Sequence, residues 1–249
     1  MTHSETSTGV INDLETISSY IRNHNVALSI VDCVTSLGAC NVPVDEWKLE
    51  IVASGSQKGY MIPPGLSFIA MSQKAWEATE KSNLPKFYLN LKSYRKSLQS
   101  NSNPYTPAVN LVFALDEALK MMREEGLDNI FRRHNKHKLA MSNAVKALNL
   151  KLFADESYLS PSITAIKTEG MDAEEFRKTI KSNFDILLAG GQDHLKGKIF
   201  RVGHLGYVND RDIITVVSAI SNTLLGLGKI TAQQAGEALV VVSKYLEEN

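Results

Sequence analysis

Apolar positions along the chain follow two different periods. Between Asn12 and His24, Leu14, Ile17 and Ile21 recur at helical spacing, and Val26 to Val31 then forms a short apolar run ending on Asp32. This pattern predicts a helix followed by a buried strand. Leu49 to Ala53 and Leu66 to Met71 are two more strand-length runs; the first stops at Ser54-Gly55-Ser56 and the second follows Pro63-Pro64-Gly65. Strands separated by helical or looped stretches, with glycine and polar residues at their ends, indicate an α/β layer. Ligands of such layers usually sit at those strand ends.

Pro107 to Glu125 predicts a long helix with proline in its first turn and a stop before Gly126. Beyond it the pattern predicts a helix at about Asn129 to Leu148, strands at Lys151 to Phe153, Ser162 to Lys167, Asp185 to Ala189 and Lys198 to Val202, and helices at Asp172 to Asn183, Asp210 to Leu225 and Thr231 to Leu246. Asp172 with Glu175 resembles a capping box, and Thr231 suits an N-cap. The second half therefore reads as α+β. A boundary near Gly126 divides the chain into 1–126 and 127–249, with no internal repeat and no low-complexity segment.

A chain of 249 residues accommodates one large domain or two smaller ones. Its 43% hydrophobic and 22% charged content is that of a soluble globular protein, which excludes disordered and fibrous classes. Formal net charge is zero, and the longest basic run (Arg132, Arg133, Lys136, Lys138) has no interleaved aromatics, so no nucleic-acid partner is expected. Cys33 and Cys40 make neither a disulfide framework nor a zinc or redox spacing. The first residues lack a basic region followed by an apolar one, and no run approaches the roughly 18 apolar residues of a membrane span. The expectation is a soluble cytoplasmic protein. His134 and His137, three apart on a helix, could share a metal, but no third ligand is suggested; they are expected at the surface of a basic helix, and no metal is expected.

Two residues carry candidate chemistry. A lysine amine condenses with a carbonyl once its pKa is lowered, by burial or by a cationic neighbour. Lys58 lies just past a strand in a turn of small residues, where its amine could reach a ligand across the strand ends; a solvated loop lysine is the other reading. Asp32 ends an apolar run, where an unpaired carboxylate would cost several kcal/mol if buried. It either caps the next turn or pairs with a protonated cofactor nitrogen.

The strings His3-Ser4-Glu5-Thr6-Ser7-Thr8-Gly9, Val31-Asp32-Cys33-Val34-Thr35-Ser36-Leu37-Gly38 and Ser54 to Lys58 followed by Pro63-Pro64-Gly65 resemble class V aminotransferases. The nearest branch is the alanine–glyoxylate, serine–pyruvate and serine–glyoxylate group, and the resemblance continues to the C-terminus. It implies a partial fold-type I α/β transferase that binds pyridoxal 5'-phosphate: the C-terminal part of a large, mostly parallel sheet domain plus a smaller α+β domain. Lys58 matches the Schiff-base lysine, Asp32 the partner of the pyridine nitrogen, and Val34 the apolar residue against the ring. Thr6 matches a hydroxyl near the ring oxygen and Gln57 a phosphate contact. Arg201, in Phe200-Arg201-Val202-Gly203-His204-Leu205-Gly206, matches the arginine for the substrate α-carboxylate; spacing alone reads it as a surface arginine at a strand edge. Asn103 to Ala108 resembles the segment that reaches the phosphate of the neighbouring subunit in a homodimer, with Thr106 aligned and Asn103 standing where some relatives carry tyrosine.

Family members carry a substantial segment before the His-Ser-Glu-Thr motif, including a glycine- and serine-rich phosphate loop and an aromatic residue stacked on the ring, whereas here the match begins almost at Met1. Two readings follow. The first is an aminotransferase that moves an amino group from alanine or serine to glyoxylate or another 2-oxo acid. The second is an N-terminally truncated, inactive relative that acts through association with another chain. A desulfurase reading would need a mobile-loop cysteine, and Cys33 and Cys40 are poorly placed for that.

Overall fold

A computed structural model describes residues 1–24 and 27–247, so Val26 of the first predicted strand lies outside the described residues. The chain opens with a two-residue hairpin, β1 (Ser4–Glu5) and β2 (Val10–Ile11), and then α1 (Leu14–His24). Three strands follow: β3 (Ile30–Asp32), β4 (Ile51–Gly55) and β5 (Ser67–Met71). β4 is central, parallel to β3 and antiparallel to β5. Residues 1–3 extend this layer beyond β3, because Asp32 N donates to Met1 O and His3 N to Asp32 O, both at 2.9 Å. Leu14, Val31, Cys33, Val42, Leu49 and Val52 form the apolar cluster beneath it. The predicted buried strand is buried on one face only. Val31 is fully covered, while Ile30 is 59% exposed.

Two helices escaped the hydrophobic pattern, α2 (Gln73–Lys81) and α3 (Leu91–Gln99). Each is started by a side-chain cap: Ser72 Oγ accepts from Ala75 N and Asn90 Oδ1 from Lys92 N. α4 (Val109–Glu125) begins two residues after Pro107, so the proline precedes the helix instead of opening its first turn. Gly126, at φ +82°, separates it from α5 (Leu127–Ala147).

The remainder holds β6 (Lys151–Leu152), β7 (Ile163–Lys167), α6 (Ala173–Phe184), β8 (Ala189–Gly190), β9 (Ile199–Gly203), α7 (Asp210–Gly226) and α8 (Ala232–Glu247). Its sheet is antiparallel throughout, in the order β6-β7-β9-β8. The predicted strand at Asp185 to Ala189 shrinks to β8. Asp185 takes a left-handed conformation that ends α6, and Leu188 is buried in the core. Asp172 Oδ1 caps α6 through Glu174 N and Glu175 N, Thr231 Oγ1 caps α8 through Gln234 N, and Asn209 with Asp212 closes a full capping box on α7. A second core joins α5, α6, α7 and α8 to one face of the sheet through Met141, Ile166, Ile180, Phe200, Ile220, Leu224 and Val242. Among the described residues no helix is long and apolar enough to cross a membrane.

Candidate active site

Strand alternation decides which side chains of β9 face where. Phe200 and Val202 enter the helical core, while Ile199 packs with Ala165 and Leu195 in a separate small cluster. Arg201 shares the Ile199 face and is 8% exposed, so it is not the surface arginine that spacing suggests. Its Nε donates to Gly190 O at 2.8 Å and its Nη1 to Thr6 O at 2.6 Å, which joins Thr6 and Arg201 across the two halves of the chain. Burial, and then the nearby Arg177 cation, lower the Arg201 pKa, while the Glu5 carboxylate opposes them.

Lys58 lies past the end of β4 in a loop pinned by a buried serine. Ser56 Oγ donates to Pro63 O at 2.8 Å and accepts from Leu66 N at 3.2 Å. The Lys58 side chain is half-buried and Gln57 beside it is exposed. Gly59 is where this loop crosses the turn after β3: a Cβ there would stand 2.1 Å from Leu37 O. Only glycine permits that approach. A third segment arrives at Gly206, where a Cβ would stand 3.2 Å from Lys58 O and φ is +85°.

Asp32 ends β3, paired with Ala53 of the parallel neighbour that leads to Lys58. Its side chain is exposed, and Oδ1 accepts from Val34 N at 2.8 Å. The penalty for a buried carboxylate therefore does not apply, and the residue caps the following turn. Val34 is half-buried. Asn103 and Thr106 are both exposed on the connection between α3 and α4, tied down where Tyr105 Oη donates to Phe87 O at 3.0 Å. Among the described residues they do not join the hydrogen-bonded group around Arg201.

His134 and His137 correct the surface expectation, since both are fully buried. His134 Nδ1 donates to Ile130 O and its Nε2 accepts from Gly206 N at 3.1 Å, while His137 Nε2 bonds Asp210 Oδ1 at 2.8 Å. Desolvation pushes His134 down to about 4. The missed signal is the helical series Ile130, His134, His137, Met141, Ala144, Val145 and Leu148, every member of which is buried.

The fold sets the Lys58 amine and the Asp32 carboxylate beyond the ends of adjacent parallel strands and ties the Arg201 guanidinium to Thr6 of the first half, and ligands of α/β layers sit at such strand ends. The residue types fit pyridoxal phosphate chemically: an amine can meet its aldehyde and an acid its ring nitrogen, and Val34, two residues past Asp32, is half-buried.

Residues 1–208 match the class-V aminotransferase family, and the chain belongs to it. It is 59% identical over 246 residues to a Synechococcus sp. protein named as the small subunit of a soluble hydrogenase, covering 99% of this chain and 64% of that one. It is 35% identical over 256 residues to a serine–glyoxylate aminotransferase of Methylorubrum extorquens, covering 99% and 63%. The crystal structure of ureidoglycine–glyoxylate aminotransferase from Bacillus subtilis superposes with a TM-score of 0.90 at 32% identity, over 98% of this chain and 64% of that one. The chain thus spans less than two thirds of the length of these relatives.

Proposed function

We propose that this chain carries the amino-transfer site of an enzyme that moves an amino group from alanine or serine to glyoxylate or another 2-oxo acid. The observation that carries the reading is the convergence of the Lys58 turn with Asp32 on adjacent parallel strand ends. The names of relatives acting on glyoxylate support the acceptor class. Pyridoxal phosphate, when bound, supplies an aldehyde for amines and a ring that takes up the electron pair of a substrate carbanion. Lys58 would hold it through its amine and would move a proton at the substrate α-carbon. Asp32 would pair with the ring nitrogen, Val34 would pack on the ring face, Thr6 would offer a hydroxyl to the ring oxygen, and Gln57 would meet the phosphate. Arg201, steadied by Gly190 O and Thr6 O, offers its remaining donors to the substrate carboxylate, for which a planar fork is suited.

In this reading the working unit is a homodimer in which Asn103 and Thr106 reach the neighbouring subunit's phosphate. The separate apolar clusters of residues 14–52 and 140–242 support a division into units 1–126 and 127–249. Two free cysteines, Cys33 and Cys40, fit a reducing cytoplasm. The test is to incubate the protein with pyridoxal phosphate, reduce with borohydride and map the labelled peptide. Label on Lys58, lost in Lys58→Ala, is expected; label confined to other lysines would sink the assignment.

A further inference from the structure

Gly206 has both of its backbone hydrogen-bonding groups engaged by consecutive residues of one helix. His134 of α5 accepts from its N–H at 3.1 Å, and Arg133 Nη1 donates to its carbonyl at 2.9 Å. The same Nη1 donates to Val208 O at 2.9 Å. The other edge of the guanidinium is spent on Glu125, with Nε to Oε1 at 2.6 Å and Nη2 to Oε2 at 3.0 Å. Glu125 is the last residue of α4, so Arg133 also spans the Gly126 joint between the two helices. Gly206 is where this segment abuts the backbone of Lys58, and β9 with Arg201 lies directly upstream of it.

We propose that Arg133, backed by Glu125 and His134, is a positioning residue that fixes the lysine turn relative to the carboxylate-binding arginine. The inference rests on the functional reading above for its purpose, but the mechanical link it asserts can be measured in the protein without cofactor. Lysine at position 133 would keep the charge near Glu125, yet a single ammonium cannot serve a carboxylate and two backbone carbonyls on opposite edges of one plane. Loosening Gly206 lets the Lys58 turn shift, because Gly206 packs on it without a side chain between them.

The experiment compares wild type, Arg133→Lys, Arg133→Gln and Glu125→Gln. The acylation rate of Lys58 relative to exposed Lys178 in the same molecule is followed by mass spectrometry, alongside hydrogen exchange of residues 203–208. Arg133→Lys is expected to melt near the wild-type temperature, to change the Lys58:Lys178 rate ratio roughly three- to tenfold and to speed exchange at Gly206, with Glu125→Gln intermediate. An unchanged ratio and unchanged exchange in a folded Arg133→Lys or Arg133→Gln protein would overturn the proposal. If Arg133→Gln fails to fold, Arg133→Lys decides. Borohydride mapping of wild type reports separately: label absent from Lys58 there, with the Arg133 effect intact, refutes the functional reading and leaves the link standing.

Discussion

Residues 127–247 and residues 1–126 solve the burial problem differently. In the later part, four helices close over one face of an antiparallel sheet, and side chains such as Phe200, Ile180 and Leu224 have no solvent contact. In the earlier part a small cluster lies under three strands, while Ile30, Ile69, Leu84, Phe87, Leu89, Leu98, Val109, Val112 and Phe113 stand exposed, and α3 buries no residue at all. Lys58 and Asp32 sit in the thinly covered part; Arg201 and the Arg133 clamp come from the dense one. The candidate site thus draws its lysine and aspartate from the thinly covered region and its arginine from the dense one.

Acidification should have the largest effect, and it should fall heavily on the dense region. His134 and His204 are buried there with pKa values pushed down by desolvation to about 4 and about 3, and His3, under the earlier sheet, is lowered to about 4. Groups with depressed values are neutral in the fold and bind protons more readily once unfolded. Stability is therefore full above the ordinary histidine range near 6.5 and is lost as pH falls towards 4, on the order of 3 kcal/mol for each group fully shifted. Urea midpoints measured from pH 7 down to pH 4.5 should drop steeply, with protection in α5 and β9 lost early. A flat profile would show that these histidines stay accessible to protons in the native state.

Phe200→Ala comes next. The ring has no exposure and lies tilted against Phe176 at 5.1 Å between centroids, so truncation should cost about 3–5 kcal/mol. The matched control is Phe113→Ala on α4, where the ring is 69% exposed and the loss should stay within about 0.5 kcal/mol. Equal losses in the two variants, read from urea unfolding, would erase the contrast between the regions.

Much of this arrangement could be read from the chain because packing leaves periodic marks. α1, α4, α5 and the helices from α6 onward show apolar stripes, and β4, β5, β7 and β9 read as short apolar runs. α2 and α3 did not show, since an element that buries one residue or none carries no stripe, only the caps Ser72 and Asn90. The apolar Ile186-Leu187-Leu188 stretch imitates a strand but follows a left-handed Asp185, a backbone choice invisible to hydrophobic period. At the candidate site, Lys58 and Asp32 stood out by their place at strand ends. Arg201 needed the family resemblance, because its burial comes from Thr6 and Gly190, remote in sequence. The basic neighbours of His134 and His137 disguised a buried face, because the charges of Arg133 and Lys136 are met by Glu125 and Asp210.

Helix caps give a smaller contrast. Asp172→Ala removes an acceptor shared by Glu174 N and Glu175 N on a helix whose Phe176 and Ile180 are core residues, and should cost about 1 kcal/mol. Asn90→Ala removes a comparable cap from α3, which frays without opening any core. Global stability should then move by only a few tenths of a kcal/mol, while exchange at Lys92 and its neighbours quickens. A global loss at Asn90 as large as that at Asp172 would mean that α3 is coupled to the core more tightly than its exposure indicates.

Asp32→Asn should have the smallest effect on the fold and a decisive one on the site. The carboxylate is exposed, and the hydrogen bond it accepts from Val34 N can be accepted equally well by the amide oxygen of asparagine. Unfolding free energy should therefore stay within about 0.5 kcal/mol of wild type. What asparagine cannot supply is the negative charge that keeps a ring nitrogen protonated. If Asp32 serves only as a turn cap, capture of pyridoxal phosphate on Lys58 will be unchanged along with stability. If it also faces the ring, capture will weaken and the bound cofactor's visible absorbance will shift while stability holds, separating the two jobs of one carboxylate in the region where the fold is least demanding.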